Sequence, residues 1–276
     1  MKKVLSCICL YDEVQKYEIS AINYIMEQTY ISDVLIIDDY TKYEVRKYKN
    51  AFLYKNKSMN PYEIREFCFK FAIKNNYDYI VFFDSDDIYK KNRIEKLLHK
   101  IEKNESDICV HNMEIVNYNE KTIIREFLSK DIDYLSNIKQ NILKYNFIGL
   151  GNSIFKVDKL KDIPKCPSNV IFDWWIAIHL IIQNNAKCCI EFTPLSKYRQ
   201  YEENTANIIS INEKIIYKEY LCKLNLYINL LNDLRFNNEK INIVNQIKHI
   251  TDNYLNKKIN MQKQFHCWWN YLNEEE

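Results

Sequence analysis

Residues 79–83 read YIVFF, apolar at every position, and residues 84–87 read DSDD. A strand that alternates apolar and polar residues is covered on one face. One that is apolar throughout must be covered on both, which is the condition of a central strand in a parallel sheet flanked by helices. The residues that follow place three carboxylates, Asp84, Asp86 and Asp87, within one turn. Like charges this close repel, and none is buried without a partner. The turn is therefore either solvated or the seat of something cationic.

The neighbouring sequence repeats the pattern. VLSCICLY (4–11) and VLII (34–37) read as short buried strands, with AFLY (51–54) as a third and DICVHN (107–112) as another. Between them lie helical periods: Ile19, Ile22, Ile25 and Met26; then, from Pro61, Ile64, Phe67, Cys68, Phe71 and Ala72; then Ile94, Leu97, Leu98 and Ile101. Strand and helix in alternation imply an α/β fold with a parallel sheet. Ligands of such sheets bind beyond the carboxyl ends of the strands. Asp38-Asp39 and Asp84–Asp87 both fall at such ends, so two acidic clusters are expected on one rim, which weakens the solvated-turn reading of either. Further along, EIVNY and TIIREF suggest a hairpin around Asn119-Glu120, followed by helix from about 129 to 145. The glycines of IGLGNSIF (148–155) suggest a turn or a close backbone approach, and an acceptor-facing part of a site is expected there. Beyond about residue 205 the pattern is amphipathic and helical, without a Gly/Ser/Pro linker. The expected division is an α/β domain over 1–204 with a helical region, 205–276, packed on it.

Composition narrows the function. Among 276 residues, 47% are hydrophobic and 28% charged, as in globular chains. The formal net charge of +2 gives no electrostatic case for nucleic acid as a partner. Nine cysteines occur with no C-x-x-C pair, and the five histidines share no ligand spacing. Both are read as structural or surface residues rather than a zinc site. No secretory signal and no apolar run of the ~20 residues a membrane span needs are evident. The expected location is the cytoplasm, with peripheral contact at the inner membrane face left open.

The order of these motifs resembles a known family. Tyr11-Asp12 after the first strand, EQTY (27–30), VLIIDD (34–39), a helix carrying Arg65, FFDSDD (82–87) and FDWW (172–175) are together similar to a family 2 glycosyltransferase of the GT-A fold. FDWWIAIHLII with PLSKYRQY (194–201) resembles the rhamnosyltransferase-like branch that builds bacterial surface polysaccharides. The likeness spans roughly residues 3–201.

The resemblance implies an inverting, metal-dependent transfer from a UDP- or dTDP-sugar to a saccharide or lipid-linked glycan acceptor. Asp84-Ser85-Asp86 is the implied D-x-D element for Mn²⁺ or Mg²⁺, whose preference for hard oxygens suits carboxylates and a diphosphate. Asp86 is the implied direct ligand, Asp84 faces the ribose or a metal-bound water, and Asp87 shares either role. Asp39 accepts from the N3–H of a uracil or thymine ring, Tyr11 stacks on that base, and Arg65 meets the base or the phosphates. Asp173 is the implied general base, taking a proton from the acceptor hydroxyl. Trp174 and Trp175 beside it are expected as an apolar wall, or else in the core behind a helix start.

The chain departs from the family's usual pattern at several positions: Asp12 stands for Asn, Tyr40-Thr41 for Gly-Ser, no glycine occurs in the 56–60 loop, and Tyr201 replaces a His. A tyrosine is a poor ligand for a hard cation, but its hydroxyl can donate to a phosphate oxygen. The rival readings are a catalytically silent relative acting as a glycan-binding or scaffold subunit, and a sugar-1-phosphate nucleotidyltransferase, which would want a Gly-rich basic loop that CLYDEVQKY does not offer. The aromatic end, FHCWWNYLNEEE (265–276), leaves docking on the α/β domain, a partner chain and the membrane interface as alternatives.

Overall fold

The structure, a computed structural model, describes residues 2–11, 15–39, 50–201, 204, 208, 212–257 and 267–272. Asp12, Tyr40, Thr41, His266, the acidic residues 274–276 and the side chain of Ile19 lie outside the described residues. The first half alternates as expected: β1 (Val4–Tyr11), α1 (Gln15–Met26), β2 (Asp33–Asp39), β3 (Ala51–Lys55), α2 (Pro61–Lys74) and β4 (Tyr79–Phe83). A two-residue β5 (Ile88–Tyr89), α3 (Arg93–Asn104), β6 (Ile108–Asn117), β7 (Thr122–Ile124), α4 (Ile138–Lys144), β8 (Ser153–Lys156), α5 (Phe172–Ile178) and the long β9 (Cys188–Gln200) follow. The chain then forms α6 (Glu213–Asn232) and α7 (Lys240–Leu255).

The strands form one sheet in the order β3-β2-β1-β4-β8-β6-β9-β5, with β7 paired to β6. The half from β3 to β4 is parallel throughout. In the other half β8 runs against both β4 and β6, while β9 is parallel to β6 and β5 antiparallel to β9. The sheet is thus mixed, which the alternating pattern alone does not foretell. An antiparallel β8 enters from the loop carrying both glycines, so that loop is delivered to the carboxyl end of β4.

Every residue of β4 is buried, and the structure shows why. Ile80 and Phe82 join the core under α2, α5, α6 and α7, while Tyr79, Val81 and Phe83 join the core under α1 and α3. Residues of α6 and α7, including Leu226, Tyr227, Leu230, Ile243 and Ile250, share the first of these cores. Met26, expected on the inner face of α1, is 43% exposed, whereas Ile22 and Ile25 are buried. The hairpin at 117–122 forms around Glu120 at φ 62°, and the helix expected over 129–145 is confined to α4. No helix among the described residues is long and apolar enough to cross a membrane.

The start of α2 is set by a reciprocal cap. Asn60 Oδ1 accepts from the Tyr62 and Glu63 amides at 3.0 and 3.1 Å, the Asn60 amide donates to Glu63 Oε2 at 3.0 Å, and Pro61 opens the first turn. Asn60→Ala removes this cap and is expected to cost about 1 kcal/mol. For a protein of this size that is a fall of roughly 2–4 °C in the thermal midpoint. An unchanged midpoint would show the cap to be redundant.

Candidate active site

The parallel half of the sheet determines where the acidic residues meet. Tyr11 pairs in register with Asp39, and Ile8 with Phe83, so the ends of β1, β2 and β4 form one rim. Asp39 ends β2. Its Oδ1 accepts from Asn56 Nδ2 at 2.6 Å, and Asn56 also organises the loop after β3, donating to Met59 O and accepting from the Ser58 and Met59 amides. None of residues 56–60 has positive φ, so this loop closes without the glycine usual in the family. On the same rim the Cys9 thiol, pushed up to about 12 by burial, feels the charges of Asp39, Arg65 and Asp84. These three side chains therefore converge.

The DSDD turn begins at the open end of β4. Asp84 stands at the rim and is exposed, its amide donating to Tyr89 Oη at 2.7 Å. The walls still strip part of its hydration. That desolvation, together with the Asp86 charge, pushes its carboxyl up to about 6 against the opposing pull of Arg65 and Arg93. Asp86 is nearly buried, and its Oδ2 accepts from the Tyr201 hydroxyl. That hydroxyl is also bonded to Tyr11, which must donate because the Tyr201 proton is committed to the carboxylate. Burial pushes both phenols up, so both keep their protons. Asp87 comes to the same turn, but its Oδ1 accepts the Arg199 amide at 2.9 Å and ties the turn to β9.

Two guanidiniums hold this turn. Arg93 is fully buried, donating to Phe82 O and Gly151 O at 2.8 Å and to His111 Nε2 at 2.9 Å, with the rings of Phe83 and Tyr89 under its charge. Because His111 Nε2 accepts, Nδ1 carries the proton donated to Asn112 O, and burial lowers this imidazole so that it stays neutral. Arg199 donates from Nε to Asp86 O at 2.6 Å and from Nη2 to Glu120 at 2.9 Å. The sequence pattern singles out neither arginine nor Asn56. Arg93 sits at a helix start beside the apolar face and carries no periodic signal.

Asp173 lies in the first turn of α5, where its Oδ2 accepts the Leu150 amide at 3.1 Å. Burial raises its pKa, opposed by Arg65 and by that amide. Arg65, donating to Pro61 O from α2 and 5.9 Å from the Phe172 ring, thus acts on both Asp84 and Asp173. The loop between them explains the second glycine: a Cβ on Gly151 would fall 2.3 Å from Asp84 Oδ2. Both glycines have negative φ, so close approach, not turn geometry, requires them. Of the two placements expected for Trp174 and Trp175, the structure shows the core. Trp174 Nε1 donates to Ile142 O and Trp175 Nε1 to Pro164 O, and both rings are buried in the core. An apolar helix start leaves them no other face to fill.

A mixed α/β sheet flanked by helices, with carboxylates gathered at its parallel rim, matches the architecture of the GT-A glycosyltransferases. The model of the glycosyl transferase family 2 matches residues 7–163, more than half of the 276 residues. The chain belongs to that family and is a glycosyltransferase. Among solved structures, S. aureus TarS 1–349 in complex with UDP-GlcNAc is 16% identical with a TM-score of 0.64, over 95% of this chain and 77% of that one. The longer S. aureus TarS is 17% identical at 0.61, over 90% of this chain and 43% of that one. TarS 1–349 with UDP is 15% identical at 0.59, over 95% and 77%. At these identities the likeness is one of fold. No curated protein matches the sequence.

Asp84 carries a pH-dependent cost. Its folded pKa of about 6 lies above the ordinary 3.8, so the folded state holds the extra proton between those values. Stability therefore falls as pH rises through that window and stays lower above it. Asp84→Asn is expected to raise the thermal midpoint at pH 7.5 and to match the wild type near pH 4. A variant less stable than wild type at pH 7.5 would contradict this charge balance.

Proposed function

We propose that the crevice transfers a sugar, with inversion, from a UDP- or dTDP-linked donor to a glycan acceptor in the assembly of a bacterial surface polysaccharide. The observation that carries the reading is the meeting of Asp39, Arg65, Asp84, Asp86 and Asp173 at one rim, with Leu150 and Gly151 as the shared wall. The S. aureus TarS structures with UDP-GlcNAc and UDP bear on the donor class. The likeness of residues 172–201 to the rhamnosyltransferase-like branch points to a deoxyhexosyl or hexosyl group.

Asp39, oriented by Asn56, would accept the N3–H of the pyrimidine, with the Tyr11 ring close by on the neighbouring strand. Arg65 supplies positive charge between the donor and the base. Among the described residues, no three His, Cys, Asp or Glu side chains are grouped to hold a metal. Two adjacent carboxylates, Asp84 and Asp86, instead suit Mg²⁺ or Mn²⁺ carried on a diphosphate, since such ions keep waters and phosphate oxygens among their ligands. When bound, the cation would offset the Asp84–Asp86 repulsion and stabilise the leaving nucleoside diphosphate. Tyr201 stands where a histidine ligand is usual, and its hydroxyl holds Asp86 in place. We assign Asp87 to positioning: through the Arg199 amide it fixes the turn from beneath.

Asp173 would remove the acceptor proton as the acceptor oxygen bonds to the anomeric carbon and the bond from that carbon to the diphosphate breaks. Desolvation strengthens it as a base, and the Leu150 amide fixes its orientation. Asp173→Asn is expected to keep nucleotide binding and to lose roughly 10²–10⁴-fold in transfer, the usual contribution of a general base. Asp86→Ala should lose Mn²⁺-dependent UDP binding. Calorimetry beside a transfer assay checks both; wild-type turnover in Asp173→Asn would remove it as the base.

A further inference from the structure

The indole of Trp268 lies behind both chain segments that carry the crevice. A Cβ on Gly149 would sit 2.9 Å from its Cη2 and 3.1 Å from its Cζ3, so the glycine loop rests directly on the ring. One residue on, Leu150 donates to Asp173; one further, Gly151 abuts Asp84. The same indole meets the Tyr198 ring, centroids 6.2 Å apart, and the Phe127 ring at 4.9 Å. Tyr198 immediately precedes Arg199, whose amide holds Asp87 and whose guanidinium holds the Asp86 carbonyl. One side chain therefore backs the loop of the base and the strand that grips the acidic turn.

The segment that delivers this ring is fixed at both ends. The Trp268 amide donates to Asn146 O at 3.1 Å. Glu219 of α6, fully buried, accepts the Tyr271 and Leu272 amides at 3.0 and 3.1 Å, with Lys223 Nζ 2.9 Å away. Asn253 of α7 donates to Leu272 O at 2.8 Å. A buried ion pair is weak as a source of stability, and its better-attested use is to fix one arrangement among several. Trp269 adopts φ 58°, a conformation bulky side chains seldom take, at the residue after the indole.

We propose that residues 267–272 form a latch of the active site, with Trp268 as a positioning residue that fixes Asp173 relative to Asp84 and Asp86 by bracing Gly149 and Tyr198 together. Trp268 touches none of these acids. The catalytic consequence rests on the function proposed above, whereas the bracing does not, so the two are tested separately.

Amide hydrogen exchange at Leu150 and Arg199 reads the brace directly, since the first donates to Asp173 and the second to Asp87, which anchors the turn carrying Asp84 and Asp86. In Trp268→Ala both amides should exchange roughly tenfold or more faster, while Ile80 and Val81 in β4 keep wild-type rates. Transfer should fall by about 10²-fold, the scale of a ~1 Å misplacement, with kcat affected more than donor KM. Trp268→Phe should recover part of both. Unchanged exchange at Leu150 and Arg199, or equal acceleration at all four amides, overturns the latch. If Trp268→Ala does not fold, Gly149→Ala serves: it should speed exchange at Leu150, and the narrower ring in Gly149→Ala/Trp268→Phe should return it toward wild type, whereas additive effects overturn the proposal. Wild-type protein that transfers no sugar, with these exchange results intact, would instead count against the proposed function.

Discussion

Three carboxylates within four residues set the terms of this structure. The turn after β4 is held from two sides by buried arginines, Arg93 through the Phe82 and Gly151 carbonyls and Arg199 through the Asp86 carbonyl. Both grip neutral carbonyls there rather than the acids' own side-chain oxygens, Arg199 also pairing with Glu120 through Nη2. Arg93 is lowered by burial only to about 10 and remains a cation at neutral pH. The acids are thereby kept close, and burial, then the Asp86 charge, holds the Asp84 carboxyl above its ordinary range. The proposed binding of a cation on a diphosphate would use that residual negative charge, and its cost falls on stability.

The second constraint is the antiparallel β8. Entering between β4 and β6, it places the loop 148–152 at the carboxyl end of β4, where Leu150 and Gly151 reach Asp173 and Asp84. Asn152 closes this loop internally, accepting the Gly149 amide at 2.8 Å. Asp173 is over eighty residues from Asp84 in sequence, and this wall with Arg65 brings the two carboxylates under one field. The aromatic end of the chain, for which the sequence leaves docking, a partner and a membrane as alternatives, is docked at residues 267–272 against the back of that wall.

Much of this arrangement was legible in the sequence. The apolar run of β4 required two covered faces, and it separates residues of two cores. The helical periods of α2 and α3 located those helices closely, because caps and amphipathic spacing are local properties. The rim was legible because strand ends are local too. What pattern reading missed depends on contacts distant in sequence: the reversal of β8, the pairing of β9 with β6, and the buried Arg93, whose partners come from β4, β6 and the glycine loop. For the tryptophans beside Asp173 the sequence leaves a wall and the core as alternatives, and the structure shows the core. Adjacent residues at a helix start need not face one ligand, and here both rings turn to the core. The tie from Asp87 Oδ1 to the Arg199 amide of β9 is likewise a contact distant in sequence.

The central claim is that the acids at the rim bind a nucleoside diphosphate through a divalent cation. Isothermal titration of the wild-type protein with UDP, with and without Mn²⁺, tests it most directly. The account predicts binding that requires the metal and that weakens as pH falls through about 6, where Asp84 takes up a proton. Absence of nucleotide binding in the presence of Mn²⁺, with the protein folded, would contradict it and favour a fold retained as a scaffold without the reaction.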